Sequence, residues 1–269
     1  MKIKWLKIVQ VGLTILILIV SRVGVISSGG QLRFFFLNVG QGDALLILTP
    51  ENISILIDTG PDISVVSGLG KYLSNRKIDY LIITHPDKDH SGGLSDILSS
   101  YVVLNYIGEK STLTSNLKLY NSIISGDELN LGCCVNFHFY NLNNPSQDTN
   151  ERSIAVLVHM GALSLFAAGD LPSKLEDQLA PVIGHIDILK VGHHGSNTST
   201  DDYFLNEIKP EIAVISVGKN NKYGHPKSVT LGRLKAIKAT ILRTDEVGDV
   251  NLTTDGQSVQ QIPQLGFLW

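Results

Sequence analysis

The stretch from Leu81 to Gly93, LIITHPDKDHSGG, constrains this chain more than any other. Four β-prone residues run straight into His85, Asp87, Asp89 and His90, and a Gly pair then releases the backbone. The pattern predicts a buried strand ending in a cluster of four potential metal ligands. Alternate residues of an extended backbone share a side, so His85, Asp87 and Asp89 are expected to project together, with His90 joining them where the chain turns. A solvated loop has no use for such density, whereas metal ligation is the commonest reason to cluster His with Asp.

Other segments repeat this strand-then-ligand logic. Strands are predicted at Leu32 to Val39, Ala44 to Leu48 and Ile53 to Ile57, the last ending at Asp58; short turns between them suggest an antiparallel meander. Helical spacing at Val65 to Leu73 leads to a strand at Tyr80 to Ile83, and a helix at Leu94 to Leu98 precedes a strand at Val102 to Ile107. A weaker region follows, with a helix expected near Leu117 to Ile123 and strand around Cys134 to Tyr140. Ser153 to Val158 and Leu163 to Ala167 are strands, and the second ends at Gly169-Asp170. A helix from Ser173 to Leu179 follows, and the strand Ile186 to Val191 delivers Gly192-His193-His194-Gly195. After a helix at Asp201 to Ile208, the strand Ile212 to Val217 leads to Tyr223-Gly224-His225-Pro226. A helix at Val229 to Ala236 and strands at Thr240 to Arg243, Val250 to Thr253 and Ser258 to Gln261 close the chain. Strands then helices, given twice, suggest an α/β fold of two similar halves whose sheets pack face to face with helices outside.

Five of the eight histidines fall just after a predicted strand, at positions 85, 90, 193, 194 and 225. That is how a site is built on rigid elements. His138, His159 and His185 lie in or beside strands and read as ordinary structural residues. Asp170 could cap the following helix, but Gly169 before it permits the close backbone approach that a shared metal bridge needs. Cys133 and Cys134, the only cysteines, are adjacent and read as strand residues on opposite faces, which excludes a disulfide framework and disfavours a thiolate zinc site.

Hydrophobic residues make up 43% of the 269, enough for one large core. A net charge of −3 and a pI near 6.2 leave no basic footprint, so a polyanionic substrate would be held by metal ions and a local patch. Residues 1–30 read differently from the rest. Lys2, Lys4 and Lys7 precede an apolar run from Ile8 to Ile26 broken only by Arg22; a spanning helix needs ~20 residues, and a snorkelling Arg22 lets the run suffice. The lysine-first order places the amino terminus in the cytoplasm and residues 31–269 outside, with a cleaved signal peptide ending in the small residues Ser27 to Gly30 as the rival reading. The expected location is thus the cell membrane, through a single-pass anchor, or a secreted form.

The order HPDKDH, AAGD, GHHGS resembles the metallo-β-lactamase superfamily. FLNVGQGDALLI, IDTGPD, NERSIAVLV, LKVGHHGSNTS and SVGKNNKYGHP are similar, more closely, to the metallo-hydrolase domain of ComEC-type competence proteins. The resemblance covers essentially Leu32 to Val259. It implies a four-layer αβ/βα sandwich holding one or two divalent ions. His85 and Asp87 would hold the first; Asp89, His90 and one of His193 or His194 the second; Asp170 would bridge. Asp58 would orient a ligand histidine, and Asn150 and Ser153 would stand beside the ligands. The superfamily places a further histidine where Thr149 or Asn150 stands here, and a histidine where Asp87 stands, a shift favouring Mn²⁺ (or Mg²⁺) over Zn²⁺. Asp89 would orient or deprotonate a water, while His225, or whichever of His193 and His194 is not a ligand, would assist at the phosphate.

The activity so implied is that of an extracytoplasmic nuclease that degrades one DNA strand during uptake, and the partner so implied is DNA, single strands in particular. ComEC-type proteins carry a multi-helix channel ahead of this domain whereas one membrane helix at most is expected here, so a separate channel partner or a surface enzyme unrelated to uptake both fit. Asn38 replaces the usual Asp of the opening motif. Two other classes remain: a hydrolase of small esters or lactams, and a metal-free binding module.

Overall fold

Alternate residues of β1 (Leu32–Phe36) enter two different cores, and this alternation sets the layers. The computed structural model describes residues 30–108, 126–140 and 147–263. β1 joins β2 (Leu45–Leu48), β3 (Ser54–Ile57), β4 (Lys77–Ile82) and β5 (Val102–Ile107). The second half supplies β6 (Glu128–Leu131), β7 (Val135–Tyr140), β8 (Ala155–Met160), β9 (Leu163–Ala167), β10 (Ile188–Lys190), β11 (Ile212–Ile215) and β12 (Thr240–Arg243). The tail, β13 (Val250–Thr254) and β14 (Val259–Gln261), returns to the first sheet. The sheet orders are β14-β13-β1-β2-β3-β4-β5 and β12-β11-β10-β9-β8-β7-β6.

Phe34 and Phe36 pack with Phe137, Val156 and Leu165 of the other sheet, so the two sheets share an inner core. Phe35 faces the opposite way, among Leu46, Leu56, Val65 and Ile97, under α1 (Ser64–Gly70) and α3 (Leu94–Ser100). The outer face of the second sheet is covered by α4 (Ser173–Ile183), α5 (Asp202–Ile208) and α6 (Ser228–Ala236) through Leu175, Leu179, Phe204 and Leu234. Strands buried on both faces read as continuous apolar runs, which is why these segments were visible in the sequence. The architecture is the expected αβ/βα sandwich.

Pairing explains where the chemistry collects. The meander β1-β2-β3 is antiparallel as expected, but β3, β4 and β5 run parallel, as do β9 to β12. Parallel strands present their carboxyl ends on one side of a sheet, where open α/β sheets bind ligands. Register pins the tail: Leu32 to Phe36 pair with Thr254 to Val250 in antiparallel order.

Several local expectations shift. The strand carrying the ligand cluster stops at Ile82, and Lys88–Ser91 form a helical turn, α2. Asp89 therefore does not share a strand face with His85 and Asp87. β8 starts at Ala155, after a 3-10 turn at Asn150–Arg152, which frees Ser153 for other work. α4 continues past Leu179 through Pro181, because Ala180 and Ile183 gain burial in the outer core. β6 and a short α7 (Thr244–Val247) were not foreseen. Cys133 and Cys134 occupy the turn between β6 and β7 rather than a strand, with free thiols whose Sγ atoms lie 2.7 Å apart, so opposite-face projection does not apply to them. The expected helix at Leu117 to Ile123 and the apolar run at Ile8 to Ile26 lie outside the described residues. Among the described residues no helix is long and apolar enough to cross a membrane.

Candidate metal centre

The site residues follow the ends of strands: His85 after β4, Asp170 after β9 and the 3-10 turn Gly192–Gly195 after β10 supply candidate ligands, and Asp58 follows β3. α2 adds Asp89 and His90. The histidines are fixed from behind. His90 is fully buried, and its Nδ1 lies 2.8 Å from Asp58 Oδ2. Asp58 also accepts hydrogen bonds from the backbone N–H and the hydroxyl of Thr84, both at 2.8 Å. His194 Nδ1 donates to the Ser216 carbonyl at 2.9 Å. His85 Nδ1 lies 3.1 Å from Thr84 Oγ1 and 3.3 Å from Ser153 Oγ. With Nδ1 engaged on an acceptor, Nε2 is left as a lone-pair donor, the arrangement by which an outer partner sets the tautomer of a ligand histidine.

Those Nε2 atoms converge. His90 Nε2 lies 3.2 Å from Asp170 Oδ1, and His194 Nε2 lies 3.3 Å from Asp89 Oδ2 and 4.0 Å from Asp170 Oδ2. His85 Nε2 is 3.8 Å from Asp87 Oδ2, and His193 Nε2 is 3.7 Å from Asp170 Oδ2. The Nε2 atoms of His85, His90 and His194, with Asp170 Oδ1, are buried and make no hydrogen bond. Leaving such groups unpaired costs about 1–3 kcal/mol each. Four orphans around one carboxylate fit a divalent cation. Asp170 does not cap α4, whose N-cap is Pro172 with no side-chain cap; its own N–H donates instead to Ser153 Oγ at 3.2 Å. Above this floor a cleft of about 190 Å³ opens among Asp87, Asp89, Asn150, His193 and His225.

Comparison with known proteins agrees with this geometry. Residues 37–125 match the model of the metallo-beta-lactamase superfamily. Recombination protein 2 of Haemophilus influenzae is 34% identical over 243 residues, covering 84% of this chain and 29% of that protein. ComE operon protein 3 of Bacillus subtilis is 29% identical over 259 residues, covering 84% of this chain and 33% of that one. The chain thus spans about a third of the length of these relatives. Among solved structures, the metallo-beta-lactamase fold protein YhfI of Bacillus subtilis superposes with a TM-score of 0.57 at 12% identity, over 78% of this chain and 95% of that one. The metallo hydrolase Igni18 of Ignicoccus hospitalis gives 0.54 at 15%, over 87% and 99%.

The chain carries a metallo-beta-lactamase domain.

Within this metallo-beta-lactamase domain the backbone is strained where the ligands sit. His193 and His194 have φ of 48° and 53°, and Asp58 has φ of 60°. Left-handed conformations are uncommon for non-glycine residues and cluster at functional sites. Gly169, at φ +59°, is needed for a close approach: a Cβ there would stand 3.1 Å from Ser153 Cβ.

Charge is balanced group by group. Burial opposes ionisation of Asp170, but His90 and His194 outweigh it and hold the carboxyl well below its usual range. Burial likewise opposes the charged form of His194, yet Asp43 and Asp170 push it up to about 9. His85 moves the other way, down to about 4, through burial and the neighbouring His90. His225 is also lowered to about 4, by burial and then by His193 and His194.

Sequence reasoning missed two residues outright. Lys190, at the end of β10, is buried against Asp43, which precedes β2. Asp43 faces the Nδ1 atoms of His90 and His194, at 3.7 Å and 3.5 Å, so it stands behind the rings rather than among the free Nε2 atoms. A single lysine in the apolar run ILKV was the available signal. Of the pair left open near position 149, Thr149 Oγ1 donates to Asp87 Oδ1 at 2.7 Å, whereas Asn150 Oδ1 is buried without a partner beside the cleft. Asn38, unexplained in the motif, accepts from Gly40 N–H at 3.3 Å and donates its own N–H to Asp249 at 2.8 Å, closing the turn before the cleft.

Proposed function

We propose that this chain is a metal-dependent phosphodiesterase acting on DNA outside the cytoplasmic membrane, degrading the strand that is not taken up. One observation carries the reading: three imidazole Nε2 atoms and an Asp170 oxygen lie unpaired at the floor of a polar cleft. Relatives named for recombination and competence support DNA as the substrate. Residues 31–269 would form the hydrolase domain, with residues 1–30 as its membrane anchor or signal. A separate channel protein would be its partner in uptake.

His85 and Asp87, with the Asn150 oxygen as a weak third donor, would hold one ion. Asp89, His90 and His194 would hold the other, and Asp170 would serve both. His194 is preferred to His193 because its Nε2 is the buried, unpaired one. The carboxylate-rich first site favours Mn²⁺, with Mg²⁺ or Zn²⁺ as alternatives. When bound, the cation supplies Lewis acidity at the phosphate and lowers the pKa of water to about 7. Asp89 orients or deprotonates the attacking water. His225, neutral at pH 7, hydrogen-bonds the phosphate, and the part-exposed His193 stands where a proton can pass to the departing oxygen. Asp58 and Ser153 keep the ligand imidazoles and Asp170 in place.

The test is degradation of single-stranded DNA by chelator-treated protein with and without added Mn²⁺, beside Asp89→Ala. Metal-dependent cleavage that the variant reduces by about three orders of magnitude is expected for loss of a catalytic group. Turnover of a chromogenic lactam without DNA cleavage overturns the reading.

A further inference from the structure

A second cleft, of about 310 Å³, adjoins the first and shares Gln41, Asp89 and Tyr223 with it. Its other walls come from Pro61, Lys88, Asn221 and Lys222. None of Gln41, Lys88, Lys222 or Tyr223 has a role in the centre described above. Their chemistry is nonetheless coherent. Tyr223 is 48% exposed, and it lies stacked on His225 with centroids 5.8 Å apart and planes at 25°. The Lys222 ammonium sits 5.0 Å from the Tyr223 centroid. Gln41 Oε1 accepts from Gly218 N–H at 3.1 Å, which fixes the amide, and its Nε2 is buried with no partner.

The platform is held in place before any ligand arrives. Asn221 donates to the carbonyls of Gly218 and His225 at 2.9 Å and 2.7 Å and accepts from the N–H groups of Tyr223 and His225 at 3.2 Å and 3.0 Å. Lys227 Nζ donates to the Tyr223 carbonyl at 2.6 Å. An ordered aromatic ring, two ammonium groups and a free amide donor in one cleft match the parts list of a base and its phosphate. Stacking is sequence-tolerant because every base has a π-face, and it requires that base to be unpaired.

We propose that this cleft is a nucleotide subsite for single-stranded nucleic acid. The base next to the scissile phosphate stacks on Tyr223, its phosphate lies between Lys88 and Lys222, and Gln41 Nε2 donates to an acceptor of the same nucleotide. This rests on the phosphodiesterase reading above and adds to it the residues that hold the nucleotide beside the scissile phosphate. With a net charge of −3 the chain attracts no polyanion as a whole, so these two lysines supply the attraction locally.

The experiment compares the Mn²⁺-loaded full chain with Tyr223→Ala, Tyr223→Trp and Lys88→Ala/Lys222→Ala on a short single-stranded oligonucleotide and on bis(p-nitrophenyl) phosphate. The readout is the ratio of kcat/KM between the two substrates. Tyr223→Ala should lower that ratio about tenfold, the lower-middle of the range for one stacked base, while Tyr223→Trp retains it. The lysine pair should flatten the salt dependence of KM for the oligonucleotide. Oligonucleotide cleavage whose ratio is unchanged by Tyr223→Ala overturns the subsite and leaves the nuclease reading standing. Wild-type cleavage of the small diester without the oligonucleotide overturns both.

Discussion

Two turns bring the histidines together, and they are built differently. The turn from His85 to His90 leaves β4 through extended backbone and one helical turn, and its deepest ring is held by the carboxylate of Asp58. The turn from Gly192 to Gly195 instead places two successive histidines at positive φ. It is held by the Ser216 carbonyl on His194 and by Thr200 Oγ1, which accepts from Gly192 N–H at 3.3 Å. Thr200 in turn donates its N–H to Glu176, a fully buried carboxyl on α4. Both turns lean on residues outside themselves, but only the second holds its histidines at positive φ. A strained turn persists only where the neighbouring structure over-determines it.

The largest expected effect falls on the group that touches both turns. Asp43 faces Nδ1 of His90 and of His194 and is neutralised by Lys190. Burial works against the charge on either partner, but each holds the other ionised: the Lys190 ammonium is pushed up and the Asp43 carboxyl held below its usual range. Lys190→Met should cost about 3–5 kcal/mol, because it leaves a buried carboxylate uncompensated. Lys190→Met with Asp43→Leu should recover most of that loss while still impairing activity. Urea unfolding measures both. A single variant within about 0.5 kcal/mol of wild type, the usual size of a surface effect, would mean the pair does not tie the turns together.

Glu176 separates the turns further, since only the second leans on it. Its pKa is pushed up to about 8, first by burial and then by Asp201 and Asp177, against the hydrogen bonds from Thr200. The folded protein therefore keeps a proton that the unfolded chain, with the ordinary glutamate pKa of 4.5, has released. Stability should fall as pH rises from about 4.5 to about 8 and level off above, the sign required when the native state binds more protons. Glu176→Gln removes this slope, and at pH 8 it should be more stable than wild type by about 2–4 kcal/mol. Unfolding midpoints at pH 5 and pH 8 decide it: equal slopes in wild type and variant would show that Glu176 is ionised in both states.

The same contrast explains what could be read in the sequence. The first turn was legible because its ligands are dense and follow an apolar run, and Asp58 stood at the end of another such run. Strand positions in the second half were legible for the same reason, since strands buried on both faces leave continuous apolar signals. What stayed hidden depends on long-range pairing. Nothing near Asp43 announces Lys190, 147 residues away, and nothing near Gly192 announces Glu176. Ser153 was placed in a strand by its apolar successors, although its hydroxyl serves His85 and Asp170. The preference for His194 over His193 rests on which Nε2 is buried and unpaired, and no local pattern of residue types encodes that.

The smallest effect tests the strain itself. A left-handed conformation costs a non-glycine residue roughly 1–2 kcal/mol. Glycine adopts it freely but loses more freedom on folding, by about 0.5–1 kcal/mol. His193→Gly should therefore be neutral or up to about 1 kcal/mol more stable, since the His193 side chain is 27% exposed, against 1% for His194, and has the less burial to lose. Activity should fall in the same variant, because the imidazole beside Asp170 is gone. His193→Asn, with a side chain that tolerates the left-handed region, should lie between the two in stability and share the loss of activity. Equivalent relief is not available in the first turn, where His85 and His90 already sit at ordinary φ, so His90→Gly should destabilise by opening a buried space. A stability gain confined to position 193 places stored strain in the second turn alone; a loss of more than about 1 kcal/mol there would show that the imidazole supports the turn rather than straining it.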